Sequence, residues 1–361
     1  MSKTPGKSKA GTRLLSLDIL RAVALILMIQ VHFVQNLSPR VVCTGWLYDL
    51  AVWLGYLPAP LFTFLVGLSL YLWLAREEAA GGERSRTVIS RGIKRGVALF
   101  VTGLVFAVVI WLPKELFDWD ILTLIGTAMV VILLLRKLSL PVLGLICTGL
   151  LLIAPPLRDA LNYPSYWREG EYFYSFTVKE VVAGFFGNGY FPVFPWLLFP
   201  ISGFMCGKMF YGAGGEKKRG MMGYTGAFFL VLAGILFALR GRTGMEGISF
   251  YPASTVYVLG ILGLIMVAAV ILGRMFDRRQ GGKDGIGAGV CRRFSRYALA
   301  LYLIHHAVHV WPMYVASAIK GSGDIEQYYG KAVSTPMALI LAWVFMICAD
   351  QIIKWREEKK Y

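Results

Sequence analysis

The 361-residue chain holds four histidines, His32, His305, His306 and His309, and three of them fall within five positions. An imidazole changes charge near neutral pH, so such a set points to proton transfer or to metal binding. His32 lies in residues 13–36, RLLSLDILRAVALILMIQVHFVQN, a stretch that also carries Asp18, Arg21, Gln35 and Asn36. Most of it is apolar enough to cross a bilayer. On a helix these five polar side chains share an arc of about 100°, with Leu25 and Met28 between them. Asp18 and His32 are about 21 Å apart along the axis, so the polar stripe runs from near one membrane face to near the other. Charges inside a span are costly and face a protein interior or a wet cavity. The stripe is read as lining a site that reaches both sides; the plainer alternative is a buried ion pair with polar neighbours.

The other three histidines lie in SRYALALYLIHHAVHVWP, on the same helical side as Tyr302 and Ser295. One or more imidazoles could act as a general base. Alternatively, His305 and His309, at i and i+4, could join His32 around a metal. That reading needs a carboxylate or a further ligand, and none is close in sequence, so no metal is expected. A third alternative leaves the histidines as hydrogen-bonding residues between helices. Arg91, Lys94 and Arg95 open a later span and could hold phosphates or merely mark topology. Asn188, Tyr190 and Trp196 open one span from the opposite side and Tyr251 opens another, as substrate contacts or as interface anchors.

The elements that must position these residues are membrane spans. The chain is 57% hydrophobic, with a mean hydropathy of +0.61. Apolar runs recur at about 14–36, 50–75, 96–113, 121–135, 139–154, 190–210, 221–239, 251–273, 297–318 and 333–353. This predicts an all-α polytopic membrane protein of about ten spans, ten to twelve in range. Residues 155–189 are aromatic and charged and are read as one or two short interfacial helices. The first run is too long for a signal-peptide core and lacks a small-residue cleavage site, so it is read as retained. The division expected is a disordered cytoplasmic tail over 1–12, a single transmembrane domain over 13–354, and a second tail over 355–361.

The net charge of +16 would suit nucleic acid, but the basic residues sit in short loops between spans. Twenty-seven Lys and Arg fall on one side of the alternation and nine on the other. This is the positive-inside pattern; it puts both termini in the cytoplasm and excludes a nucleic-acid partner. It also suggests residence in the cell (inner) membrane. Five cysteines without paired spacing suggest neither a disulfide framework nor a zinc site. No internal repeat is visible, which weighs against an inverted-repeat transporter.

Several stretches, in order, resemble one family. RLLSLDILRAVALILMIQVH, LFTFLVGLSLYLW, NGYFPVFPWLLFPISGFMCGK, FYPASTVYVLGILG and RYALALYLIHH are similar to segments of the heparan-α-glucosaminide N-acetyltransferases and their bacterial relatives. That family is related to the wider acyltransferase-3 group. Asp18 and Arg21 match its Asp-x-x-Arg motif, His32 its bacterial helix-1 histidine, and Tyr302 with His305 its late Tyr-x-x-His segment. The resemblance implies a multi-pass acyltransferase that takes an acetyl group from cytoplasmic acetyl-CoA to a sugar-like acceptor, an amine or hydroxyl, on the outer face. It implies Asp18, His32 and His305 as catalytic residues. Arg21, Arg91, Lys94 and Arg95 would then meet the CoA donor. Gln35, Asn36, Asn188, Tyr190, Trp196, Tyr251, Tyr302 and His306 would meet the acceptor. A homodimer is compatible with this.

Two departures are visible. No counterpart of the large lumenal N-terminal domain of the human-type enzyme is expected. Residues 37–57 contain no histidine, where that enzyme places its key one. His32 would serve in its place, as general base or as acyl carrier. A transporter or flippase working along the same stripe is the alternative; a scaffold would leave the histidines unexplained.

Overall fold

The computed structural model describes residues 13–38, 45–79, 85–111, 115–168, 170–212, 218–243, 247–277, 286–321 and 333–359. The expected tail over 1–12 lies outside the described residues.

Among the described residues the chain is almost wholly helical: α1 Leu15–Leu37, α2 Trp46–Gly55, α3 Pro58–Ala79, α4 Ser85–Phe106, α5 Ile121–Leu135, α6 Leu140–Ala160, α7 Val178–Ala183, α8 Val193–Trp196, α9 Leu198–Cys206, α10 Arg219–Thr243, α11 Thr255–Leu272, α12 Ile286–Arg296, α13 Ala298–Lys320 and α14 Thr335–Glu358. Eight helical segments are long and apolar enough to cross a membrane. The 15-residue α5 and the histidine-bearing α13 complete the ten segments read from the sequence. The protein is an all-α polytopic membrane protein.

Local chemistry sets several of these boundaries. Asp120 caps α5, its carboxylate accepting from the Leu122 amide at 2.8 Å. Ser254 caps α11 by accepting from the Tyr257 amide at 3.2 Å. Such caps satisfy helix N-terminal donors that have no partner within the helix. The α13 helix ends at Gly321 with φ +63°, a conformation that costs glycine little.

Four details differ from the sequence reading. The run 50–75 is two helices, because Pro58 starts a new helix after α2 has ended at Gly55. Residues 155–189 are more than interfacial helix. They hold the end of α6, which continues through Pro155 and Pro156, a tight turn at Tyr163–Tyr166, and a two-stranded antiparallel ribbon ahead of α7. In that ribbon β1 (Trp167–Arg168) pairs with β2 (Glu171–Tyr172). The basic stretch after α11 carries α12, and α14 continues to Glu358, into the expected C-terminal tail.

The α1 helix is central. It packs against α2, α3, α11, α12, α13 and α14, with Ala24, Leu25, Ile29 and Val34 completely buried. The flanking helices close on one another through glycine. A Cβ on Gly67 of α3 would collide with the Pro200 carbonyl of α9, and one on Gly203 with the Phe64 carbonyl. Gly126 of α5 is also closely placed, since its Cβ would lie 2.6 Å from the Gly96 carbonyl of α4. In lipid, helices associate by such close backbone packing more than by hydrophobic drive.

Candidate active site

The polar stripe of α1 does face protein, and its two ends differ. At the N-terminal end Asp18 is 1% exposed. Its carboxylate accepts from Arg13 at 2.6 and 3.0 Å, from the Ser295 hydroxyl at 2.6 Å, and from Arg21 at 3.4 Å. Arg21 also donates to Ser69 at 2.5 Å and to Ser295 at 3.2 Å. Ser69 in turn donates to the Leu65 carbonyl. One buried carboxylate thus fixes groups from α1, α3 and α12. A cavity of about 370 Å³ opens here, lined among others by Arg13, Arg21, Ser69, Trp73, Arg76 and Arg296. Four guanidiniums line it; Arg13 and Arg21 pair with Asp18, and Arg296 pairs with Glu357 at 2.7 Å.

Arg91, Lys94 and Arg95 do not line that cavity. They stand on α4 behind its wall: Arg95 lies 5.4 Å over the Trp73 ring, Arg91 pairs with Glu77 at 3.6 Å, and Lys94 is exposed. The arginines that do line it, Arg13, Arg76 and Arg296, had read only as topology signals. The pattern offered one cue, a basic residue five positions ahead of Asp18.

The other end of the stripe gathers all four histidines. His32 has its ring centroid 4.5 Å from His306, 5.5 Å from His305 and 6.5 Å from His309. The α13 helix supplies three of these rings on one side because 305, 306 and 309 lie within about a 100° arc. His305 and His309 donate from Nδ1 to the carbonyls one turn back, Leu301 at 3.1 Å and His305 at 2.6 Å. The Asn36 amide donates to His309 Nε2 at 2.7 Å. Tyr302, 5.7 Å from His305 and 5.4 Å from His306, donates its hydroxyl to Asp120 at 2.6 Å. Phe106 and Trp111 stand edge-on to His306. Asp120 escaped the sequence reading because it looked like one acid in an ordinary connector; its capping position was the available cue.

The remaining expected acceptor residues lie together elsewhere. Tyr190, Trp196 and Tyr251 line a pocket of about 10 Å³, room for roughly one water. Trp196 is 1% exposed and belongs to the core, between Phe191 and Phe250. Asn188 is buried too, donating to the Leu161 carbonyl at 3.3 Å, and stands behind the pocket lining. Trp167 of the ribbon stacks on Tyr251 at 5.0 Å and meets Tyr190 edge-on at 5.1 Å. The Tyr172 hydroxyl is held above its ordinary pKa by burial first and then by nearby Asp118, which keeps it uncharged. The segment Asp118–Asp120 ties this patch to the histidines. Its first two carbonyls accept from the Tyr190 and Phe191 amides at 3.0 and 3.1 Å, and the carboxylate of its third residue, Asp120, holds Tyr302.

Leu25 and Met28, both buried, stand between Arg21 and His32 on the stripe. The stripe is therefore two polar ends joined by an apolar neck.

Among the described residues, α1 thus joins an arginine-lined cavity at one end to a cluster of imidazoles, shared with α13, at the other. The family model for heparan-alpha-glucosaminide N-acetyltransferase, catalytic, matches residues 13–235, and the chain belongs to that family. It is a membrane acetyltransferase. The match includes Asp18, Arg21 and His32 and ends before α13. No curated protein matches the chain.

Proposed function

We propose that the protein carries an acetyl group from cytoplasmic acetyl-CoA to an amine or hydroxyl of a sugar-like acceptor on the outer face. One observation carries this reading: the buried stripe of α1 ends in an arginine-lined cavity at Asp18 and in an imidazole cluster at His32. The bias of basic residues, 27 to nine, supports a cavity and both termini on the cytoplasmic side, in the cell membrane. The span region, 13–354, acts as a single domain.

The phosphates of CoA suit Arg13, Arg21, Arg76 and Arg296, because guanidinium binds phosphate in a bidentate manner. Trp73 offers an aromatic face for the adenine. Asp18 holds Arg21 and Ser295 in place instead of reacting. The pantetheine arm then passes Leu25 and Met28, the latter an unbranched and adaptable side chain. Arg91, Lys94 and Arg95 act through the wall formed by Trp73.

At the far end the acceptor nitrogen or oxygen attacks the thioester carbon, and His32 takes its proton. The carbon–sulfur bond breaks and CoA leaves as a thiolate, which the proton finally neutralises. His305 and His306 orient His32 by ring contact. Tyr302 is committed to Asp120, so the developing oxyanion falls to Gln35 and to the second amide hydrogen of Asn36. Tyr190 and Tyr251 border the way for the acceptor, with Asn188 and Trp196 as support.

The test is the purified protein in lipid nanodiscs with acetyl-CoA, with and without glucosamine as the probe acceptor. Acceptor-dependent release of free CoA is expected. Acetyl-CoA that neither binds nor is consumed overturns the reading. Acetyl label found on His32 without acceptor would make that residue the acyl carrier.

A further inference from the structure

We propose that His32, His305 and His306 form a binding site for a divalent transition-metal ion of the zinc class. Their ligand nitrogens all lie within 4.8 Å of one another. The geometry also says which nitrogens are available. His305 donates Nδ1–H to the Leu301 carbonyl, so its tautomer is fixed and Nε2 carries a lone pair. That Nε2 is buried and has no hydrogen-bond partner. The same holds for His306 Nδ1. Both residues are at least nine-tenths buried, with exposures of 0% and 2%. Leaving two such acceptors bare in an apolar interior is costly. One cation placed between them and His32 satisfies both.

His309 is not part of the set. Its Nδ1 donates to the His305 carbonyl and its Nε2 accepts from Asn36, so it has no lone pair to give. The i, i+4 pair suggested by sequence is therefore replaced by the adjacent pair His305 and His306, closed by His32 from α1.

Three imidazoles with an open fourth position are the donor set of a tetrahedral zinc site. The Leu301 carbonyl on His305 is the usual outer partner of a metal-bound histidine, fixing ring and tautomer. Asp120 stands one tyrosine away: it accepts from the Tyr302 hydroxyl, and the Tyr302 ring packs against His305 and His306. Half-buried His32 gives the ion its way in.

The consequence for catalysis rests on the reading of His32 as proton acceptor. An ion at the site takes the His32 lone pair, so metal occupancy and acceptor deprotonation exclude one another. Zinc then acts as a reversible brake on the outer half of the protein.

The experiment titrates Co²⁺ into the full chain in nanodiscs, without acetyl-CoA. One ion per chain with the intense visible bands of tetrahedral cobalt is expected. His305→Ala and His306→Ala should each weaken it by more than about tenfold, while His309→Gln keeps it. Acetyl-CoA binding at the distant cavity shows whether each variant is folded. Equal Co²⁺ affinity in wild type and in the His305→Ala/His306→Ala double variant, or only weak octahedral bands, overturns the site. With metal removed by chelator, transfer is measured separately. Its absence there would sink the acetyltransferase mechanism above and leave the metal site standing. Added Zn²⁺ should lower turnover, and a rise would overturn the mutual exclusion.

Discussion

The two ends of α1 solve opposite problems with the same helix. Around Asp18 the protein spends charge: four arginines line a cavity of about 370 Å³, held by Asp18 and, at Arg296, by Glu357. Around His32 it removes charge, using imidazoles, a tyrosine and aromatic edges against a single carboxylate, Asp120. A guanidinium cluster is a good anion holder and a poor proton acceptor, because its members stay protonated. An imidazole cluster is the reverse. The difference teaches that charged and neutral polar groups are kept apart along α1, with buried Leu25 and Met28 between them; the proposed function assigns recognition to one end and chemistry to the other.

That separation is broken most completely by His32→Ala. Acetyl transfer should fall about 10²- to 10⁴-fold, the usual worth of a positioned general base, while acetyl-CoA binding is unchanged. Isothermal titration and CoA release on the same preparation measure both. A variant with full turnover removes His32 as the base.

The neck is tested by Leu25→Trp. Leu25 is completely buried between the two ends, so a larger ring there obstructs the path proposed for the pantetheine arm. Transfer should fall about 100-fold, since small misplacements at a reacting centre cost this much. Binding of CoA alone should persist, because its phosphates stay in the cavity. Equal loss of CoA binding and transfer would mean that the two ends are not independent, and overpacking by about 1–3 kcal/mol would show as a lower Tm.

How far this was legible in the sequence follows from the same contrast. The histidine end was readable because histidine is rare here and the stripe on α1 has a helical period, so position alone put His32 opposite the outward end of another span. The anion end was only half readable. Asp18 and Arg21 share a turn, but Arg76 and Arg296 come from helices whose contact with α1 is set by packing. In sequence they are indistinguishable from arginines that only fix topology. Arg91, Lys94 and Arg95 looked better because they cluster, and clustering says nothing about which side of Trp73 a residue stands on. The ribbon Trp167–Tyr172 was invisible for another reason: two residues per strand leave no alternation to detect. The run 50–75 reads as one span because its hydropathy is continuous, while Pro58 starts α3 within it.

The cavity itself is sharpened by Arg76→Gln. Arg76 lines it without touching Asp18, so the buried network should survive. Loss of one charge-assisted phosphate contact is worth about 1.5–3 kcal/mol. KM for acetyl-CoA should rise roughly 10-fold or more with kcat nearly constant, the signature of lost uniform binding. A fall in kcat at constant KM would instead tie Arg76 to the reaction.

The smallest effect belongs to Arg95→Ala, and it decides between the two sets of basic residues. If Arg91, Lys94 and Arg95 held the phosphates directly, this change would match Arg76→Gln in size. Arg95 instead lies 5.4 Å over the Trp73 ring. A half-exposed cation–π contact is worth about 0.5–1 kcal/mol, so its removal loosens the cavity wall without removing a ligand. KM should rise less than about fivefold, within the range set by that energy. Raising the salt should weaken binding to wild type and to Arg95→Ala in parallel, because the phosphate-binding charges are intact in both. A shallower salt dependence in the variant would move the phosphates from the cavity to the face of α4.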